Sequence, residues 1–212
     1  MKLDKKTLLL YAVTDRTWLN GRRLADDVEK ALLGGATFVQ LREKDADFDT
    51  FLEQAKEVKE VCKKYGVPFV INDNIEVALA VDADGVHVGQ SDMEAGSVRE
   101  RLGADKIIGV STRTVEEALL AQERGADYVG VGAMFNTSTK LDASDVSFEG
   151  LKEICTGIDI PVVAIGGISL NNVEELSGTG IDGVAVVSAL FAAQDIKKAS
   201  EEMREKLVKI VK

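Results

Sequence analysis

Ala126-Asp127-Tyr128-Val129-Gly130-Val131-Gly132 reads like three other passages of the chain: Gly35-Ala36-Thr37-Phe38-Val39-Gln40, Ala83-Asp84-Gly85-Val86-His87-Val88-Gly89 and Ile181-Asp182-Gly183-Val184-Ala185-Val186-Val187. Four more apolar runs lie between them, at 8–13, 68–71, 107–110 and 162–165. Each of the eight runs is followed by small, polar or charged residues and then by a helical pattern. Runs that are short and apolar nearly throughout suit parallel strands covered on both faces. Eight strand–helix units in 212 residues predict an α/β protein, a single (β/α)8 TIM barrel, with one domain over 1–212. The runner-up is an open doubly wound sheet, which usually has fewer strands and a glycine-rich turn after the first. Here the first strand leads into Thr14-Asp15-Arg16 and the glycine pair follows the seventh, which favours the barrel.

The remaining strands are expected at 38–41, 85–88, 128–131 and 183–187. Helices are expected at 22–33, 48–65, 75–81, 95–102, 148–156 and 192–211, one from the Thr114-Val115-Glu116-Glu117 capping box to before Gly125, and one from Ser169 or Asn171 to before Gly178. Asn74 is better placed than Asp73 to cap the third helix.

The net charge of −10 argues against nucleic acid or anionic membrane as partners, so basic residues for any anionic ligand must be concentrated locally. Cys62 and Cys155 show no metal-ligand spacing and read as reduced thiols. The basic N-terminus is followed by an apolar run too short for a signal peptide, with Asp15 and Arg16 where a cleavage site belongs. No run reaches the ~20 apolar residues of a membrane span. The expected location is the cytoplasm.

In a barrel of this kind the loops after the strands open on one face and carry the chemistry. Gly166-Gly167-Ile168 and Val187-Ser188 follow the seventh and eighth strands, the usual phosphate-binding pair. After the second strand, Gln40, Arg42 and Lys44 occupy alternate positions and so share a face, suiting a polyanion with a polar ring attached. Asp73 and Asp92 follow the third and fourth strands; two acids beside two cations suggest Mg²⁺ held with substrate phosphates. Helix capping and an acid–base carboxylate pair are the other readings of those acids. Because Thr114 serves as a cap, the Ser111 hydroxyl is expected to be free for a ligand. The long sixth loop, 132–146, carries Thr137, Ser138, Thr139 and Lys140, a second anion site on a lid-like segment. His87, the one histidine, lies inside a strand and reads as a buried, hydrogen-bonded structural residue. No Ser–His–Asp triad, dinucleotide fingerprint or zinc-type histidine cluster is found.

Five segments in order resemble the thiamine-phosphate synthase family: Gln40-Leu41-Arg42-Glu43-Lys44, Ile71-Asn72-Asp73, Gly85 through Asp92, Gly130-Val131-Gly132 with Thr137-Ser138-Thr139-Lys140, and Val163-Ala164-Ile165-Gly166-Gly167-Ile168 with Val186-Val187-Ser188. The Gly-Gly-Ile segment alone is weak; the first four together are specific. The resemblance implies coupling of 4-amino-5-hydroxymethyl-2-methylpyrimidine diphosphate to hydroxyethylthiazole phosphate, giving thiamine phosphate and diphosphate. It implies a dissociative mechanism through a pyrimidine carbocation. Carried over, Gln40 holds the pyrimidine within the segment formed with Leu41 and Glu43. Arg42, Lys44, Asn72, Ser111 and Lys140 contact the diphosphate. Asp73 and Asp92 hold Mg²⁺. Thr137, Ser138, Thr139, Gly167, Val187 and Ser188 serve the thiazole phosphate. Arg42, Lys44, Ser111 and Lys140 are the implied catalytic set, and His87 stands outside the site. Ala133, Asn136 and Glu94 replace prolines usual in the family, which implies a more mobile sixth loop.

The expected partners are the two small molecules, with a homodimer admitted. The related thiazole tautomerases share the thiazole-phosphate site but lack the diphosphate set. Arg42, Lys44, Asp73, Asp92 and Lys140 therefore favour the synthase. A regulatory barrel would need no divalent ion. An isomerase or aldolase would need a base or lysine in the barrel interior.

Overall fold

The computed structural model describes residues 3–89, 95–136 and 146–211. Eight parallel strands close a barrel in chain order, each paired with the next and the last with the first. They are β1 (Leu10–Val13), β2 (Phe38–Leu41), β3 (Phe69–Asn72), β4 (Gly85–Val88), β5 (Ile107–Thr112), β6 (Tyr128–Val131), β7 (Val162–Ile165) and β8 (Gly183–Val186). The crossovers carry α1 (Leu24–Leu33), α2 (Phe48–Tyr65), α3 (Ile75–Ala80), α4 (Ala95–Leu102), α5 (Val115–Glu123) and α6 (Phe148–Gly157). After β8 come α7 (Ser188–Phe191) and α8 (Ile196–Ile210). The expected barrel is the observed one.

The repeated passages have a physical cause. At the entrance to β2, Thr37 N–H donates to the Leu10 carbonyl at 2.8 Å, and Leu10 N–H donates back to Thr37 Oγ1 at 3.0 Å. Asp84 makes the same two-way clamp with Phe69 at the entrance to β4: N–H to carbonyl at 2.9 Å, and carboxylate from N–H at 2.8 Å. Asp127 clamps Ile108 at 2.7 and 2.8 Å, and Asp182 clamps Val162 at 2.8 and 3.0 Å. In each case one polar residue, just before an even strand, satisfies both backbone groups of a residue at the start of the preceding odd strand. These are donors and acceptors that a sheet's end would otherwise leave unpaired. The recurring Asp or Thr is thus a structural device at the end of the barrel opposite the mouth.

Two apolar layers form. Leu41, Val86, Val129 and Val184 point outward from the strands and pack with helix residues such as Val28, Val58, Leu151 and Met203. Tyr11, Phe38, Val70, Ile107, Tyr128, Val163 and Ala185 fill the lumen. The aromatic rings fit because small residues face them. A Cβ on Gly109 would lie 2.1 Å from the Tyr128 ring, and one on Gly130 would lie 3.1 Å from His87.

Three helices with side-chain caps start where the sequence predicts. Asp47 caps α2 through Thr50 N–H, Asn74 caps α3 through Val77 N–H, and Thr114 caps α5 through Glu117 N–H. Glu117 reaches back to Arg113 N–H at 2.6 Å, one residue before the position a capping box uses. Several boundaries shift by one or two residues, and the larger differences are these. Residues Lys5–Leu8 form a 3-10 turn capped by Asp4, so β1 begins at Leu10. β5 continues to Thr112. The seventh crossover holds only a 3-10 turn, Val173–Leu176, in place of a helix. The last helix is split, and α7 begins immediately at Ser188.

Asp84→Ala is expected to lower stability by about 1–3 kcal/mol, because Phe69 N–H is buried and loses its acceptor. Asp84→Asn keeps an acceptor oxygen and should lose less. Urea midpoints check this; equal losses in the two variants would refute the clamp.

Candidate active site

The strand ends open into a cavity of about 970 Å³, at the upper end of the usual range for small-molecule sites. Gln40, Arg42, Glu43 and Lys44 line one side, Asn72 and Asp73 the next, and Gly167, Val187 and Ser188 the far side. Ser111 and His87 stand on the floor between them. Leu41 does not reach it. It is fully buried in the strand–helix layer, because side chains alternate along β2 and its neighbours Gln40 and Arg42 take the cavity face. Asp92, Thr137, Ser138, Thr139 and Lys140, with the sixth-loop mobility expected from Ala133, Asn136 and Glu94, concern segments that lie wholly or mainly outside the described residues.

The cations are locally concentrated, as an acidic protein with an anionic ligand would require. Arg42 and Lys44 have no ion-pair partner among the described residues, whereas Arg101, also at the cavity edge, is paired with Glu76. Arg42 is held by its backbone: its N–H donates to Thr14 Oγ1 at 3.0 Å, and Thr14 N–H donates to the Gln40 carbonyl at 2.9 Å. Thr14 is fully buried at the end of β1. It is a supporting residue that the sequence reading missed; its place directly after an apolar run was the available signal.

Glu43 is nearly buried beside the two cations, 3.6 Å from Arg16 Nη1. With the Gln54 amide turned to suit its neighbours, its nitrogen donates to Glu43 Oε1 at 2.8 Å and its oxygen accepts from Arg16 at 3.2 Å. Burial pushes the Glu43 carboxyl above the usual range, and Arg16 only partly offsets it.

Asp73 adopts a left-handed backbone with φ of 58°, a conformation that Asp tolerates better than most residues. Its N–H donates to the His87 carbonyl at 2.9 Å, and its carboxylate accepts from Asn72 Nδ2 at 2.5 Å. Among the described residues no cluster of three potential metal ligands occurs. Asp73 is the one described member of the expected pair.

Two expectations about the floor change. Ser111 Oγ is not free, since it lies 3.0 Å from His87 Nε2. His87 is buried and hydrogen-bonded as expected, but it lines the cavity rather than standing outside it. Its Nδ1 lies 2.9 Å from the Tyr128 hydroxyl. No nucleophile is evident among the cysteines, because burial pushes both thiols up to about 12.

On the far side Gly167 has a positive φ of 64°, and a Cβ there would lie 2.6 Å from the carbonyls of Phe135 and Asn136. The glycine is therefore needed to let the sixth and seventh loops touch, whatever it binds. Asn172 fixes the loop shape, accepting from Ser169 N–H at 2.8 Å and donating to the Gly167 carbonyl at 2.9 Å. Beside it α7 starts at Ser188, and both Val187 and Ser188 line the cavity at this helix start, a place suited to an anion.

Comparison with known proteins follows the same chemistry. The family model described as thiamine monophosphate synthase matches residues 10–190. The thiamine-phosphate synthase of Clostridium tetani is 53% identical over 92% of this chain and 93% of its own length. That of Clostridioides difficile is 51% identical over 96% and 97%. The solved thiamine phosphate pyrophosphorylase of Pyrococcus furiosus superposes with a TM-score of 0.90 at 41% identity, covering 98% of this chain and 99% of that one.

The raised Glu43 carboxyl predicts a pH dependence. The folded state holds this proton more tightly than the unfolded state, so stability falls as pH rises through the window that opens near 4.5. Glu43→Gln should flatten that part of the profile, as read from urea midpoints on either side of the window. Parallel profiles for wild type and variant would show that the burial has no energetic weight.

Proposed function

The chain belongs to the thiamine monophosphate synthase family and acts as a transferase of thiamine biosynthesis that forms thiamine phosphate; from that premise we propose how its residues divide the work. The whole chain, 1–212, acts as one domain. The pyrimidine of 4-amino-5-hydroxymethyl-2-methylpyrimidine diphosphate lies against Gln40, with its diphosphate reaching Arg42, Lys44, Asn72, Ser111 and Lys140. The thiazole phosphate lies across the cavity at Gly167, Val187 and Ser188 and is covered by Thr137, Ser138 and Thr139. The observation that carries this reading is the placement of Arg42 and Lys44, which have no ion-pair partner among the described residues, across the cavity from the start of α7: one cavity with two anion-friendly sides.

The bond between the pyrimidine methylene carbon and the diphosphate oxygen breaks first, and the electron pair leaves with diphosphate. The thiazole nitrogen then donates its lone pair to the methylene cation. This chemistry asks the protein to stabilise a leaving anion and to hold two rings in contact more than it asks for a strong base. The donor set fits Mg²⁺, since that ion is usually held by one or two carboxylates together with substrate phosphates. Asp73 and Asp92 would hold it, and when bound it neutralises charge on the diphosphate. Arg42 and Lys44 orient the same group. Gln40 and His87 are buried, so the floor of the cavity exposes little of their surface to water beside the cation. No described helix is long and apolar enough to cross a membrane. Together with two free thiols this supports a cytoplasmic protein whose partners are its two small-molecule substrates.

The purified protein, given both substrates and Mg²⁺, is expected to make thiamine phosphate, and EDTA should abolish product. Folded protein that binds thiazole phosphate but makes no product would point to the tautomerase reading. Asp92→Ala should lower kcat by about 100-fold or more with little change in Tm. Matching losses of activity and melting temperature would make Asp92 a structural cap.

A further inference from the structure

Below the cavity floor an unbroken line of polar groups crosses the barrel. Gln40 Nε2 lies 2.6 Å from the Tyr11 hydroxyl, which lies 2.7 Å from the Tyr128 hydroxyl. Tyr128 continues to His87 Nδ1 at 2.9 Å, and His87 Nε2 reaches Ser111 Oγ at 3.0 Å. The line begins and ends in the cavity, on the two residues assigned above to the pyrimidine and to its diphosphate. Its middle is sealed: both tyrosines are fully buried in the lumen. Gly109 makes the space that Tyr128 occupies, so the ring's position is built into the barrel.

The direction of the line follows from counting protons. An amide nitrogen only donates, so Gln40 Nε2 gives its hydrogen to Tyr11. A phenol carries one proton, and burial pushes both tyrosines' pKa upward, so each keeps it. If Tyr128 donated to Tyr11, the Tyr11 proton would face only the Gln40 donor and be stranded in the core, at the cost of an unmade buried bond. Tyr11 therefore donates to Tyr128, Tyr128 donates to His87 Nδ1, and His87 donates from Nε2 to Ser111. Every bond then runs one way, an arrangement in which neighbouring bonds strengthen one another.

We propose that Tyr11, Tyr128 and His87 form a buried hydrogen-bond relay that fixes the polarity of the two ends of the pyrimidine diphosphate site. His87 and Tyr128 are positioning residues in it. At one end Gln40 is held with its amide oxygen turned away from Tyr11, an acceptor suited to the exocyclic amine of the pyrimidine. At the other end Ser111 accepts from His87, which turns its own proton away from the relay and toward acceptors such as a diphosphate oxygen. Reversing the line would offer an amide donor at Gln40 and occupy the Ser111 proton at His87, which serves the diphosphate worse. The assignment of the two ends rests on the proposed function; the direction of the line does not.

The test uses the fact that His87 is the one histidine of the chain. The full-length protein, labelled with ¹⁵N-histidine and free of tag histidines, gives the resonances of a single ring. The unliganded protein is expected to show Nε2 protonated and Nδ1 unprotonated. The opposite tautomer, or an imidazolium ring at neutral pH, would overturn the relay. This readout needs no activity, so it stands or falls apart from the synthase assay. Tyr128→Phe should then scramble the tautomer and raise KM for the pyrimidine diphosphate about tenfold, one hydrogen bond's worth, with KM for thiazole phosphate unchanged. Equal shifts in both KM values, or none, would mean that Tyr128 only fills space. If that variant fails to fold, the wild-type ring spectrum decides alone.

Discussion

Four two-way clamps hold the closed end of this barrel, and the open end is free because of them. Thr37, Asp84, Asp127 and Asp182 each satisfy both backbone groups of one residue on the strand before. A parallel sheet offers no hairpins to set register, so each pair of strands must be aligned by contacts remote in sequence. The clamps do this at the end of the barrel where no chemistry occurs. Two are further tied by cations, Asp127 by Arg99 at 2.7 Å and Asp182 by Lys5 at 3.0 Å. With register set there, the other strand ends can carry Asp73 in a left-handed conformation, a Gly-Gly turn and long loops without the sheet slipping.

The same clamps explain why the fold was legible. A polar residue that must precede each even strand leaves a repeat visible to the eye, and buried strands leave apolar runs between. The capped helices α2, α3 and α5 were also legible: α2, for one, lies between Asp47 and the left-handed Gly66, as its sequence says. The seventh crossover misled because its cap-like residues are occupied elsewhere. Asn172 accepts from Ser169 N–H and donates to the Gly167 carbonyl, and Ser169 Oγ accepts from Asn171 N–H, which shapes the loop and leaves only a 3-10 turn behind it. The short α7 was missed for the opposite reason: Val187 makes no side-chain cap bond, so nothing polar announces its start.

In the site, periodicity was a better guide than resemblance alone. Alternation along β2 brings Gln40 and Arg42 to one face and excludes Leu41, which the family match had carried in with its neighbours. What no single segment could reveal is the floor. His87 and Ser111 meet because β4 and β5 pair His87 with Gly109, whose missing side chain admits Tyr128 from β6. Three strands must be in register before that contact exists. Reading Ser111 as free followed from local caps, and the cross-strand partner decided otherwise.

Closure of β8 on β1 also has a bearing on how the chain is made. β1 pairs with β8 through Leu10–Val184, Tyr11–Ala185 and Ala12–Val186, yet β8 is the last strand to leave the ribosome. At roughly 5–20 residues per second, the apolar edge of β1 waits on the order of ten seconds or more for its partner. During that interval it is an unpaired template for other nascent chains. The seal comes later still: α8 packs against α1, and Lys197 lies so near Gly34 that a Cβ there would be 2.3 Å from the Lys197 carbonyl. A chain arrested before residue 183 therefore exposes a sticky strand, and a barrel of this design ties its solubility during synthesis to the completion of translation.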